Sequence, residues 1–130
     1  MSNGKINRTK GHNAERYYAK IFRNLGFDKV QTSRYGSRLH DDAGVDLINL
    51  PINVQIKAGK QRGLNIINTI QYTKDRIKKL LPKEALEQNY PTILIHKRDT
   101  GKGKHKTELH EIVSMSFKDF IKILKYKYEK

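Results

Sequence analysis

From Val45 to Ala58 the chain alternates apolar and polar residues on both sides of Pro51-Ile52, as VDLINL and then NVQIKA. No other segment constrains the fold as tightly. Alternation with a period of two belongs to strands that bury one face, and two such runs around a proline turn read as a hairpin. A turn centred on Pro51-Ile52 makes Leu50 face Asn53 and Asp46 face Lys57. Val45, Leu47, Val54 and Ile56 then form a core face. Asp46, Ile48 and Leu50 share the other face with Asn53, Gln55 and Lys57. These faces stay the same whether the turn takes two residues or four.

Helical periodicity brackets the hairpin. Ala14, Tyr18, Ile21, Phe22 and Leu25 lie on one stripe, with Arg16, Lys20 and Arg23 opposite. Gly26 follows as the left-handed residue that ends a helix. Ile66, Ile70, Ile77 and Leu81 mark a second helix. Phe117, Phe120, Ile121, Leu124 and Tyr128 mark a third, opened by Ser116 with Asp119 three residues on, in the pattern of a capping box. Lys29 to Arg34, Thr92 to His96 and Thr107 to Val113 read as further strands, the second of them central. Residues 1–10 read as a mobile basic arm, and 35–44, 59–63 and 98–106 as loops. The order α-β-β-β-α-β-β-α predicts a single α/β domain over residues 1–130, a central mixed β-sheet flanked by helices.

Charge narrows the function. Lys and Arg number 27 against 13 Asp and Glu, a formal net charge of +14. Such a surface attracts polyanions, chiefly nucleic acid. No apolar run approaches the ~18 residues of a membrane span, and MSNGKINRTK has no apolar secretory core. With no cysteine there is no disulfide framework or thiolate metal site. The natural expectation is an intracellular protein with no membrane partner. The five histidines, His12, His40, His96, His105 and His110, show no metal-ligand spacing and read as surface residues.

Between Lys29 and Lys74 the only carboxylates are Asp41, Asp42 and Asp46. Acids inside a basic field weaken phosphate binding, and holding a metal ion beside the phosphate is the usual reason for them. Asp46 and Gln55 offer oxygen atoms and Lys57 an ammonium on one face of the hairpin. Hard divalent cations take carboxylate, carbonyl and water oxygens. Beside a phosphate they activate water and stabilise the charge of the displacement. The plainer alternative is an ordinary cross-strand ion pair between Asp46 and Lys57 on a solvated face.

A helix with an acid (Glu15), a strand with Asp (Val45-Asp46-Leu47) and a strand with amide-x-Lys (Gln55-Ile56-Lys57) together resemble the PD-(D/E)xK nuclease superfamily. Gly11-x-x-x-Glu15-Arg16, Ser33-Arg34-Tyr35-Gly36-Ser37, Asp46-Leu47-Ile48 and Val54-Gln55-Ile56-Lys57 further resemble the archaeal-type Holliday-junction resolvases. The likeness covers about residues 11–60, and the remainder matches in order of elements only. It implies a restriction-endonuclease-like core and a Mg²⁺-dependent endonuclease, with Mn²⁺ as a substitute, that cuts four-way DNA junctions by paired symmetric nicks as a homodimer.

Carried over by position, the resemblance makes Glu15, Asp46 and Gln55 the metal ligands, and Lys57 the catalytic lysine beside them. Arg16, Ser33, Arg34 and Ser37 become contacts to DNA, joined by Lys60 and Arg62 of the basic loop. Gln55 stands where the family usually has Glu, so the site holds one negative charge less. Two other readings compete: a different nuclease of the same superfamily, restriction-like or acting in repair, and a non-catalytic basic nucleic-acid-binding protein.

Overall fold

A computed structural model describes residues 3–59, 64–98 and 108–128, with side chains from residue 9 to residue 127. Lys60 and Arg62, the loop at 98–106 beyond Arg98, and the burial of Tyr128 lie outside the described residues.

Five strands form one sheet in the order β1-β2-β3-β4-β5: β1 (Gln31–Thr32), β2 (Leu47–Ile48), β3 (Asn53–Ala58), β4 (Thr92–Lys97) and β5 (Glu111–Met115). β3 and β4 run parallel and the other neighbours antiparallel, so the sheet is mixed as expected. The parallel pair needs a crossover, which α4 (Ile66–Leu80) and the short α5 (Lys83–Glu87) supply. α1 (Asn3–Asn24) packs on β1 and β3, and α4 packs on β4. α6 (Phe117–Tyr128) follows β5.

The first helix begins at Asn3, so its opening turns occupy most of the expected arm. Asn3 to Lys10 contain no proline, and nothing in them stops helical hydrogen bonding from running backwards. The helix ends where the sequence placed its end. Gly26 has φ 114°, its N–H donates to Arg23 O (3.0 Å), and Phe27 N–H donates to Phe22 O (3.1 Å). This pair of bonds is a Schellman closure. Leu25 falls beyond the last turn and is exposed, against the expectation that it joins the stripe.

Residues 35–44 are not a plain loop. They complete α2 (Ser33–Gly36) and supply α3 (Arg38–Ala43), and the expected strand over 29–34 shrinks to Gln31–Thr32. The small polar residues that suggested a loop are caps. Ser37 Oγ accepts from His40 N–H at the start of α3, and Gly44 closes it with φ 86°.

The core lies on two faces of the sheet. Ala14, Tyr18, Ala19 and Val30 meet Leu47, Val54, Ile56, Ile93 and Ile95 on the α1 side. Ala43, Val45, Ile77 and Leu81 cluster on the α4 side. All four residues expected on the hairpin's core face are buried, but Val45, which precedes β2, turns to the second cluster. Leu50, expected on the polar face, is buried with the first cluster because the chain has left the strand before reaching it.

The hairpin register differs from the expected one. Leu47 faces Val54 across four loop residues, 49–52, with Asn49 in the left-handed region at φ 69°. Asp46 therefore does not face Lys57. The slip is an even number of residues, so the polar and apolar faces survive it.

β5 begins at Glu111, later than expected, after a single turn at Glu108–His110. Ser116 Oγ accepts from Asp119 N–H (3.1 Å), half of a capping box. The Asp119 carboxylate does not return the bond. It accepts instead from Thr92 N–H (3.0 Å) and pairs with Lys74 (2.8 Å) and Lys122 (3.1 Å), tying the start of α6 to β4 and α4. Phe117, Phe120 and Leu124, expected in the core, are exposed. The four described histidines are half-buried rather than surface residues. No helix among the described residues is long and apolar enough to cross a membrane.

Candidate functional site

The expected residues gather where β2 parts from β3. The ladder ends at Leu47 and Val54, while β3 runs on through Gln55, Ile56 and Lys57. Two short bonds hold Asp46 at the parting: its N–H donates to Val54 O (2.7 Å), and its Oδ2 accepts from Ile56 N–H (2.7 Å). The side chain thus takes the place that the next ladder partner would have filled. Ser33 N–H donates to Asp46 O (2.9 Å), fixing the residue from the β1 side as well.

Burial pushes the Asp46 carboxyl up to about 7. The Ile56 N–H and the charge of Lys57 pull the other way, and the carboxylates of Glu15 and Asp41 add to the rise. A carboxyl drawn into low dielectric beside another carboxylate resists ionisation. Lys57 is half-buried, and no hydrogen bond or ion pair holds it among the described residues.

Glu15 reaches the same place from α1. It is buried, next to Ala14 and one turn before Tyr18 and Ala19 on the face that covers the sheet. Its carboxylate is held by Arg34 of α2, with Nη2 at 3.0 Å from Oε2 and 3.3 Å from Oε1. The resemblance gave Arg34 a contact to DNA; in this conformation its guanidinium is shared with Glu15.

Gln55 is buried on the α4 side, and its Oε1 accepts from Thr73 Oγ1 (2.8 Å). Thr73 is fully buried, and Gly44 makes room for the pair: a Cβ there would stand 3.1 Å from Thr73 Oγ1. The sequence reading missed Thr73. The signal was its place between Ile70 and Ile77 on the buried stripe of α4, where a hydroxyl needs a partner.

The expected DNA contacts divide. Arg16 is exposed, with its guanidinium on Asn13 Oδ1 (2.7 Å). Ser37 is committed to His40, its Oγ 2.7 Å from Nδ1 as well as capping α3. Ser33 is buried and its Oγ has no partner among the described residues, so it offers nothing to a phosphate at the surface. One groove is lined by Lys74, Lys78 and Asp119 and another by Ile48, Leu50 and Pro51; neither is lined by Glu15, Asp46, Gln55 or Lys57.

As a metal donor set, Asp46 and Glu15 fit a hard cation. Both are carboxylates, and their mutual repulsion is what a divalent ion would relieve. Asp46 keeps one oxygen outside its bond to Ile56 N–H. Gln55 fits less well, because its only ligating oxygen already accepts from Thr73. No three His, Asp or Glu side chains among the described residues group as a metal site.

No family model, curated protein or solved structure matches the chain. The likeness to resolvases therefore rests on the residues themselves.

Proposed function

We propose that the protein is a metal-dependent DNA endonuclease of restriction-endonuclease-like fold that nicks four-way junctions symmetrically, working as a homodimer inside the cell. The observation that carries this reading is the meeting of Glu15, Asp46 and Lys57 where β2 and β3 diverge, with the two carboxylates acting on each other. The run α1-β1-α2-α3-β2-β3-α4-α5-β4, with β3 and β4 parallel, supports the fold. The charge of +14 supports a polyanionic substrate.

In this reading Asp46 and Glu15 would hold Mg²⁺ or Mn²⁺, which supplies positive charge to the scissile phosphate and a more acidic water. Lys57 places an ammonium beside the same phosphate, where it orients the attacking water and offsets charge that develops on the phosphate. The Ile56 N–H fixes one oxygen of Asp46 and so fixes the direction of the other. Arg34 keeps Glu15 turned toward the sheet. Arg16 belongs to the basic surface that meets the DNA backbone.

A second reading is favoured by one observation. The bond from Thr73 satisfies Gln55, the main departure from the family pattern, as expected in a non-catalytic nucleic-acid-binding protein. Incubation with a synthetic four-way junction, with and without Mg²⁺, decides between them. Paired nicks on opposite strands that need the metal uphold the resolvase. Cutting of linear duplex as fast as the junction points to another nuclease of the superfamily. Tight binding with no nick in either condition leaves the binding protein.

A further inference from the structure

The far edge of the sheet has an apolar surface that no described element covers. β5 is an edge strand, and its neighbours Ile112 and Val113, which face opposite sides of the sheet, are 37% and 53% exposed. α6 follows directly. Phe117 is 75% exposed and Phe120 43%, and their rings lie 6.3 Å apart. Leu109, just before β5, and Leu124 of α6 are exposed as well. An amphipathic helix that leaves its aromatic residues in water beside an open strand edge is shaped to be covered.

Charge selects the occupant. On a chain of +14, residues 107–117 contain no Lys or Arg and two acids, Glu108 and Glu111. A polyanion gains nothing from this stretch. Another copy of the chain, strongly repelled by most of its twin's surface, can approach here. The patch carries both signs, with Glu108 and Glu111 toward β5, the Glu111 carboxylate also accepting from Tyr18 OH (2.5 Å), and Lys118 and Lys125 on α6. A two-fold axis turns the acidic end of one copy toward the basic end of the other.

We infer that β5 and the exposed side of α6 form the interface of a two-fold homodimer. This names the surface of the dimer that the nuclease reading calls for and rests on that reading for its use. The surface itself is read from exposure and charge.

Sedimentation tests it. The parent protein should run at twice 15.2 kDa, and Phe117→Lys as a monomer with an unchanged circular dichroism spectrum. Tyr35→Lys, at an exposed aromatic outside the patch, should remain dimeric. Because the chain has no cysteine, Val113→Cys carries a single thiol, which a short bis-maleimide should link to its twin in high yield. A monomeric parent, a dimeric Phe117→Lys protein or an unlinked Val113→Cys protein each overturns the assignment. Junction cleavage is read separately: a dimer broken by Phe117→Lys that never cuts DNA upholds the interface and removes the nuclease. A cutting protein whose dimer ignores these changes does the reverse.

Discussion

Asp46 and Asp119 are both drawn in from solvent, and both use a carboxylate oxygen to take a β-strand N–H. Asp46 accepts from Ile56 and Asp119 from Thr92. There the likeness ends. Burial alone would raise the Asp119 carboxyl, but the hydrogen bonds from Lys74, Thr92 and Lys122 outweigh it and hold the group below its ordinary value. For Asp46, burial wins, and Glu15 adds a like charge against the opposing pull of Ile56 N–H and Lys57. One end of the sheet has neutralised its buried acid with the protein's own cations. The other keeps an acid under tension next to a second acid. A structural ion pair looks like Asp119; Asp46 has the perturbed setting that the nuclease proposal assigns to a metal ligand.

The sharpest way to break this contrast is cleavage. Asp46→Asn keeps an oxygen for Ile56 N–H and removes the charge. Lys57→Ala removes the ammonium. Each should lower junction cutting by at least about 100-fold while junction binding, measured by gel shift, stays near the parent's. A fully active Asp46→Asn protein would show that the strained acid has no part in chemistry.

Stability should respond in the opposite order. Asp119→Ala leaves Lys74 and Lys122 facing each other and Thr92 N–H unpaired in the interior. It should cost about 3 kcal/mol in urea unfolding, within the range for breaking a buried pair. Asp46→Asn should cost nothing at neutral pH and should stabilise the protein, since it removes a buried charge. If both variants lose the same stability, the two aspartates are alike and the contrast fails.

The pH dependence separates them without mutation. Asp46 has a folded-state value of about 7 against an ordinary 3.8. Between those values the folded state binds the proton more tightly than the unfolded state. Stability from this group is therefore greatest at acid pH and falls as pH rises toward 7, by on the order of 3 kcal/mol. Asp119 is depressed, so its contribution is present above the ordinary value and is lost as pH falls below it. In chelator, urea midpoints should rise as pH drops from 7 toward 4 and fall below that. The first limb should vanish in Asp46→Asn and remain in Asp119→Ala.

The same contrast shows what was legible in the sequence. Alternation with a period of two made the hairpin faces readable, and they survived a register slip because the slip was even. Helical stripes gave α1, α4 and α6 their places, and Gly26 gave one helix end. Short-range caps were ambiguous: Ser37 and Gly44 carry the same residue types in a loop and at the ends of a short helix. The shared face of Asp46 and Lys57 was legible in the alternation, and the approach of Glu15 to it only through resemblance. The bonds that set their chemistry were not, because Thr73 on Gln55 and Arg34 on Glu15 are long-range pairings without a sequence period. The stripe of α6 was read as core because a period reveals an apolar face and not what covers it.

Gln55 carries the smallest expected effect and the finest test of the comparison. Its amide oxygen is held by Thr73 in a buried place, so it contributes neither charge nor a free ligand to the acid pair beside it. Hard cations are retained largely by ligand charge. If Asp46 and Glu15 do hold the metal, affinity should be modest and half-maximal cutting should need a high Mg²⁺ concentration. Gln55→Glu is nearly isosteric and adds one charge on the side where α4 packs. One of its oxygens can still accept from Thr73 Oγ1, leaving the other to turn toward the metal. The concentration needed should fall by roughly 10-fold, the equivalent of a ~1.4 kcal/mol change. Thr73→Val alone frees the amide oxygen of Gln55 and should lower the requirement by less. A Mg²⁺ titration of the parent and both variants on one junction substrate reads the order directly. Identical titrations would place Gln55 with Asp119, among the polar groups whose needs the fold has already met.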